Sequence, residues 1–527
     1  MEKATPFILT IDFGTQSVRC GIFDQEGNLL AMEKEKYEPA YFSTLPNYAE
    51  QDPNYYFECL SKCTNRLAQS QAELLKKVAG ITLTCFRDSA VLLDKDKKVI
   101  RPMILWLDQR TAECKKKLPA YQRAIFRLIG KADAIYFNRK RSVGNWLAEN
   151  EPENWAKVDK FVNVSTYFTY LLTGELKDSA SNQSGHYPIN YAKRVWMKDP
   201  EKDITGQIFN LKKSMLCTLV PEGQPLGKIT KEASAKTGLP EGLVLYACGS
   251  DKSCDTLGLG VIDDRTAALS YGTASSIETT RVKYTEPEPF LPGFPSCIPG
   301  YYNMDIQIYR GYWMINWFLK EFGGREVNGT MLNETTAKDY NDALKLVPPG
   351  SDGLVLQPYW GPGLSRPLAK GAIIGFSDAI TREHFYRAII EGIAYALREG
   401  LEHFEHKTHH PIPSLRVSGG GSQSDEICQI TADVFGREAS RVQTFETSSL
   451  GAAISGFLAI GTYKSAPEAV EHMVRVKDTF KPNPEVHKKY DYLYKKAYKQ
   501  MYPSLKGIYE NIKDFNKAQE KEARLKK

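Results

Sequence analysis

Asp251 lies in Gly249-Ser250-Asp251-Lys252-Ser253, at the end of a short strand read at Tyr246–Gly249 and before a small-residue helix. A carboxylate there can take the proton of an attacking hydroxyl. The position equally suits a helix N-cap, and the residues alone leave both readings open. Asp12 stands near the end of another apolar run, Phe7 to Phe13, directly before Gly14-Thr15-Gln16-Ser17. Glycine lets backbone N–H groups approach a phosphate closely, and Thr15, Gln16 and Ser17 add side-chain donors. Asp12 is placed to hold Mg²⁺, directly or through water. The bland alternative is a tight hairpin with a surface Asp. The pattern returns at Ser270-Tyr271-Gly272-Thr273. Two facing Gly-Thr turns can clamp one triphosphate from both sides, which a single turn cannot. Gly419-Gly420-Gly421 lies between a strand-like and a helix-like segment. Such a loop can rest against a purine or ribose, or bring helix N–H groups toward an anion. It can also be a plain flexible turn.

Arg87-Asp88 interrupts the apolar stretch from Ile81 to Leu93. Charges inside such a run are costly unless solvated or paired. Arg87 can donate to the hydroxyls of a polyol and Asp88 can accept from them; the alternative is a structural ion pair. Trp106 and Asp108 can form another wall of the same pocket, or simply a core indole and a helix-starting acid. His403, His406, His409 and His410 cluster on one loop without metal-like spacing and read as surface residues.

These groups need elements to hold them. Phe7–Phe13 reads as a buried strand, Val18–Phe23 as a second, and Leu29 opens a third, with turns between. A long helix is expected from Tyr55 to Lys77, then strands at Val78–Thr84 and Ala90–Leu93. Residues 110–175 read as largely helical, and Tyr246–Gly249 as a short strand. The strand, Gly-Thr turn, strand pattern recurs about half a chain later, from Ala267 to Glu278. Such a repeat implies two related lobes, 1–260 and 261–527. In the second half, strands are expected at Gly353–Gln357 and Leu415–Ser418. A Pro- and Gly-rich loop spans Pro358–Gly363. Helices are expected at Thr381–Phe404, Asp425–Phe435 and Ser449–Ile460, the last stopped by Gly461. The tail from Val486 onward reads as one docked helix, with Tyr490, Tyr492, Leu493, Tyr498, Met501 and Leu505 as its apolar stripe.

The chain has 527 residues, enough for two large domains with a cleft between them. Lys plus Arg number 69 and Asp plus Glu 63, an excess of 6 that is too small and dispersed to indicate a nucleic-acid partner. No run approaches the length of a membrane span, and the N-terminus carries no signal-peptide pattern. The ten cysteines lack zinc-like spacing and read as reduced, mostly buried thiols. A cytoplasmic enzyme is the expectation.

Taken in order, Ile11-Asp12-Phe13-Gly14-Thr15, Leu171–Glu175, Gly249–Gly260, Ser270–Thr273, Gly371–Gly375, Gly419–Gly421 and Ser449–Ala453 resemble the FGGY carbohydrate kinases. The resemblance runs from about Phe7 to Gly461. It implies an α/β fold: the duplicated, ribonuclease-H-like, two-lobed architecture of actin, heat-shock chaperones and hexokinase, with a central cleft. It also implies ATP and Mg²⁺ as cofactors, a small sugar or polyol as substrate, and the homodimers common in that family. Carried over by position, Asp251 is the general base and Asp12 with Thr15 positions Mg·ATP, beside Gly14 and Gln16. Gly272 and Thr273 contact phosphates, Gly420 and Gly421 lie beside the adenosine, and Arg87, Asp88 and Asp108 face the sugar. The chain departs from the pattern in places. Arg87-Asp88 stands nearer the Arg-Glu of glycerol kinases, one carbon shorter on the acid, than the Met-His of xylulose kinases. Trp106–Arg110 is nearer the ketose-kinase style. Lys252 follows the base where many relatives carry a neutral residue.

Overall fold

The structure is a computed structural model that describes residues 6–525 apart from 289–290, 324, 328–329, 333–336, 362–365 and 367. Pro362 and Gly363 of the anticipated loop and the last two tail residues lie outside the described residues.

Six strands build the first sheet: Phe7–Phe13 (β1), Ser17–Phe23 (β2), Leu29–Lys36 (β3), Val78–Cys85 (β4), Pro225–Lys228 (β5) and Val244–Tyr246 (β6), in the order β5-β6-β4-β1-β2-β3. All seven residues of β1 are buried, as in a strand covered on both faces; five are apolar, and Thr10 and Asp12 are the polar exceptions. β3 carries Glu33, Lys34, Glu35 and Lys36 and has no buried residue, as suits an edge strand. Helix α1, Pro53–Ser70, covers one face and starts where Asp52 accepts the Asn54 N–H. Helix α2, Val164–Thr173, adds Phe168, whose ring stacks on Phe13 at 4.0 Å between centroids.

Seven strands build the second sheet: Thr266–Tyr271 (β7), Ser275–Arg281 (β8), Phe294–Pro295 (β9), Tyr302–Ile308 (β10), Ser414–Ser418 (β11), Glu438–Val442 (β12) and Val476–Phe480 (β13), in the order β9-β10-β8-β7-β11-β12-β13. The run β10-β8-β7-β11-β12 repeats β3-β2-β1-β4-β6 in both order and direction: antiparallel, antiparallel, parallel, parallel. This is the duplicated two-lobed α/β fold anticipated from the twin hairpins.

In each repeat a helix follows the fifth strand: Asp251–Gly258 (α3) after β6 and, beyond Trp313–Phe322 (α4), Arg382–Thr408 (α5) and Asp425–Phe435 (α6), the helix Thr447–Ala459 (α7) after β12. α3 and α7 cross at the seam with their backbones in contact. A Cβ on Gly258 would lie 1.9 Å from the Thr447 carbonyl oxygen, and one on Gly451 would lie 1.8 Å from that of Cys254. Only glycine permits that approach. Around the crossing, Ile8, Phe23, Leu257, Leu450, Ile454 and Phe457 form an apolar core shared by the lobes.

Several boundaries differ from the expectations. The first long helix ends at Ser70, because Gln71 leaves helical geometry, and a short turn of helix, Ala72–Leu75, leads into β4. The strand before Asp251 ends at Tyr246, and the strand expected from Gly353 begins at Val355 after a 3₁₀ turn. The tail is two helices, Pro484–Leu493 (α8) and Lys499–Leu525 (α9), joined by a π turn at Tyr494–Tyr498. Its apolar stripe docks Tyr490, Tyr494 and Tyr498, while Tyr492 is exposed. All ten cysteines are buried and free.

Candidate active site

Asp251 opens α3 at the lobe seam. The N-cap is Ser250, whose hydroxyl accepts the Ser253 N–H, so Asp251 is not the cap that the sequence left possible. Its carboxylate accepts the Lys252 backbone N–H at 2.8 Å and makes no ion pair with a described residue. Burial raises the Asp251 carboxyl above its ordinary value; nearby Lys252 and Arg87 pull it down, and Asp255 pushes it up. Asp255, one turn further along α3, accepts from Ser418 Oγ at 2.7 Å and from Thr447 Oγ1. It thereby ties the helix of Asp251 to the end of β11 and to the start of α7.

Asp12 sits near the C-terminal end of β1, opposite Arg19 of β2 and beside Thr84 of β4. Arg19 contacts it at 3.4 Å and is shared with Glu446 at 3.2 Å. Burial pushes the Asp12 carboxyl up most; Arg19 lowers it, while Asp251, Glu446 and Asp255 raise it, for a net value of about 7. A buried carboxylate crowded by acids is relieved by a bound cation. One carboxylate with water and phosphate oxygens is the donor set Mg²⁺ accepts, so Asp12 fits such an ion.

The two Gly-Thr turns follow β1 and β7. In the first, the Gly14 N–H donates to the Ser17 carbonyl at 3.0 Å; Thr15 is half-buried and Gln16 exposed. Thr15 Oγ1 accepts from Trp106 Nε1 at 3.3 Å. In the second, the Gly272 and Thr273 carbonyls accept from Tyr312 and Trp313 at the start of α4, and Thr273 is exposed. The glycine loop is pressed on stacked Tyr271 and Tyr312: a Cβ on Gly421 would lie 2.3 Å from the Tyr312 ring. A Cβ on Gly420 would meet nothing within 4 Å, so the loop presents an open face there.

Arg87 and Asp88 follow β4, and they do not pair with each other. Arg87 Nη2 donates to Asp305 Oδ2 of β10, in the other lobe, at 2.6 Å, and its guanidinium lies 5.0 Å from the Phe294 ring centre. Burial pulls the Arg87 pKa down, and the Asp305, Glu278 and Asp251 charges more than offset that. Asp88 accepts from the His186 N–H at 3.1 Å and contacts its Nδ1 at 2.9 Å. Burial raises the Asp88 carboxyl, but His186 and Arg141 outweigh it and hold the carboxyl below its ordinary value. Tyr191 and Tyr309 lie close enough to feel the Arg87 and Asp88 charges. Asp108 is placed differently from the other two. Its oxygens accept from Arg110 Nε and Nη2 at 2.9 and 2.7 Å, from the Arg110 N–H at 2.8 Å and from the Ala49 N–H at 2.7 Å. Asp108 is 4% exposed, and its carboxylate is fully engaged in holding its loop, which leaves no acceptor for a sugar.

The reading from sequence missed Asp305, Glu278 and His186. Glu278 of β8 stands directly across from Asp305 of β10. Burial and Asp305 push it up, against Lys252, Arg87 and a Thr256 hydrogen bond, to about 8. An acid within an apolar strand, as in Met304-Asp305-Ile306, is the signal that marked Arg87-Asp88 and applied here too. His186 lies in a loop without periodicity and left no such signal.

The duplicated α/β fold, with buried acids and Gly-Thr turns at the strand ends, places the chain in the two-lobed class that includes nucleotide-dependent phosphotransferases. Sequence models of the FGGY family of carbohydrate kinases match residues 7–258 with their N-terminal domain and 267–460 with their C-terminal domain, and the chain belongs to that family. ATP-dependent carbohydrate phosphorylation is therefore its chemistry. The chain is 28% identical to a xylulose kinase of Lactococcus lactis over 517 residues, covering 97% of this chain and 99% of that one. It is 27% identical to a glycerol kinase of Thermococcus onnurineus over 486 residues, 90% and 93% of the two chains. The solved structure of a ligand-bound xylulose kinase from Lactobacillus acidophilus superposes with a TM-score of 0.80 at 21% identity, over 96% of this chain and all of that one. No described helix is long and apolar enough to cross a membrane.

Proposed function

We propose that the protein transfers the γ-phosphoryl group of ATP to a primary hydroxyl of a small sugar or polyol, a pentulose or a related compound, with Asp251 as general base. The observation that carries this reading is the place of Asp251. It makes no salt bridge with a described residue, is oriented by the Lys252 backbone N–H, and lies close enough to feel the charge of Arg87 and to act on that of Asp12. A base raised by burial and left unpaired is ready to accept the proton of an attacking hydroxyl.

In this reading Asp12 with Thr15 holds Mg·ATP, Gly14, Gln16, Gly272 and Thr273 line the phosphates, and Gly420 and Gly421 face the adenosine. The bound ion would supply charge neutralisation on the β- and γ-phosphate oxygens. Arg87 and Asp88, the latter with His186, meet the acceptor's hydroxyls. Asp108 is left out because its oxygens are already taken. Closure of the lobes excludes water, so that ATP is kept for the acceptor. Glycerol or a tetritol is a second acceptor reading, favoured by the Arg-acid pair at 87–88.

The test is ADP release against a panel of pentuloses, polyols and sugar acids, with Asp251→Asn as control. The expected result is one acceptor class that raises ADP release about 10²-fold or more above the Asn variant. Equal turnover by wild type and Asp251→Asn would remove Asp251 from the chemistry.

A further inference from the structure

We infer that Lys252 is a further catalytic residue, its ammonium binding the phosphoryl group in flight; this rests on the kinase reading above. Arg19 acts on Asp12, and Lys252 and Arg87 act on Asp251. Arg19 is committed to Asp12 and Glu446, and Arg87 to Asp305. Lys252 makes no salt bridge with any described residue. Its Nζ donates one hydrogen bond, to Ser270 Oγ at 2.9 Å. An ammonium carries three donors, so two remain unused.

The position is also wrong for a purely structural lysine. Lys252 is the second residue of α3, in the first turn, where the helix dipole opposes a positive charge. What recommends the site is location. Lys252 adjoins Asp251 in sequence, and its ammonium reaches across the seam to β7. There it meets Ser270, two residues before Gly272. The charge therefore stands between the base and the second phosphate turn. Glu278, which faces the same region, is pushed up to about 8 and is a weak competitor for it near neutral pH.

Transfer calls for such a cation. The acceptor oxygen attacks the γ-phosphorus as its proton passes to Asp251. The bond from that phosphorus to the bridging oxygen breaks, its electron pair leaving with ADP. Charge spreads over the three equatorial oxygens meanwhile. Asp12, Asp251, Asp255 and Glu446 make this region acidic. A fixed ammonium beside those oxygens lowers the barrier while keeping all its protons.

The test compares Lys252→Met, Lys252→Arg and Ser270→Ala in the full chain, with D-xylulose and glycerol as acceptors. Lys252→Met is expected to lower kcat about 10²–10³-fold with the acceptor KM within about 3-fold of wild type. Arg should recover part of the loss. Ser270→Ala, which removes the protein partner and keeps the charge, should retain most of the turnover. In a second arm, calorimetry measures binding of ADP alone and of ADP with aluminium fluoride, a mimic of the transferring group. The Met variant should bind ADP as wild type does and lose the added affinity for the fluoride complex. Full kcat in Lys252→Met, or equal affinity of both proteins for the fluoride complex, would overturn the inference. So would a Ser270→Ala loss as large as that of Lys252→Met. The calorimetric arm needs no turnover. It judges Lys252 when the wild type phosphorylates neither acceptor, a result that would count against the substrate reading instead.

Discussion

Replacing Arg87 with Met should destabilise the protein by about 3–5 kcal/mol, the cost of stranding a buried carboxylate. Asp305 is 2% exposed, and its Oδ2 is held by Arg87 at 2.6 Å and Gln307 Nε2 at 2.7 Å. Among the described residues its Oδ1 is buried without a hydrogen-bond partner, and Glu278 faces it across the β8/β10 ladder. Removing the guanidinium leaves Asp305 with one neutral hydrogen bond, from Gln307, beside Glu278, which among the described residues is held only by the Thr256 and Ser276 hydroxyls. Unfolding entropy is about 2.1 cal/mol/K per residue, or about 1.1 kcal/mol/K for a chain of this length, so Tm should fall by about 3–5 °C. Asp305→Leu removes the other half of the pair. The double variant Arg87→Met/Asp305→Leu should recover much of the loss, because no charge is then stranded. Calorimetric unfolding of the four proteins at pH 7 gives the coupling directly. A Tm for Arg87→Met within 1 °C of wild type, or a double variant whose loss is the sum of the single losses, would refute the reasoning.

Asp12→Asn should raise the stability of the nucleotide-free protein at pH 8 while abolishing Mg·ATP-dependent turnover. The Asp12 carboxyl is raised from 3.8 to about 7 on folding. Its contribution is therefore full below the unfolded value and is lost as pH climbs through the window from about 4 to 7, by up to about 1.4 kcal/mol per pH unit. Thermal unfolding between pH 5 and 8 should show a flatter profile for the Asn variant, and parallel profiles would contradict this assignment. His186→Ala should raise the acceptor KM about 10-fold with a smaller change in kcat, since Asp88 loses its charge-assisted partner and its aim; steady-state kinetics read this directly. Gly451→Ala should cost more than about 2 kcal/mol, because the α3 and α7 backbones must part to admit the methyl group. A Tm equal to wild type would show that the crossing tolerates it.

Much of the fold was legible because its signals are local. The apolar run of β1, the Gly-Thr turns, the boundary of α6 and the stop at Gly461 depend on neighbours along the chain. The repeat was visible because the second hairpin uses the same turn residues as the first. Segment ends were less legible. Gln71 left helical geometry, and the tail took a π turn at Tyr494–Tyr498, where helix propensity alone predicts an unbroken helix.

At the site, the sequence by itself marked Asp12, Asp251, the glycine turns and Arg87-Asp88, because each is a chemically conspicuous residue beside an apolar run or in a glycine turn. Only the tertiary structure decided what those residues touch. Arg87 meets Asp305 across 218 positions, and Asp88 meets His186 across 98. Asp108, by contrast, is consumed by Arg110 two residues away and by Ala49, which no spacing rule distinguishes from a free acid. Periodicity records which face of a strand is buried. It does not record which charge from the other lobe arrives to neutralise it, because that partner is chosen when the two sheets close on each other.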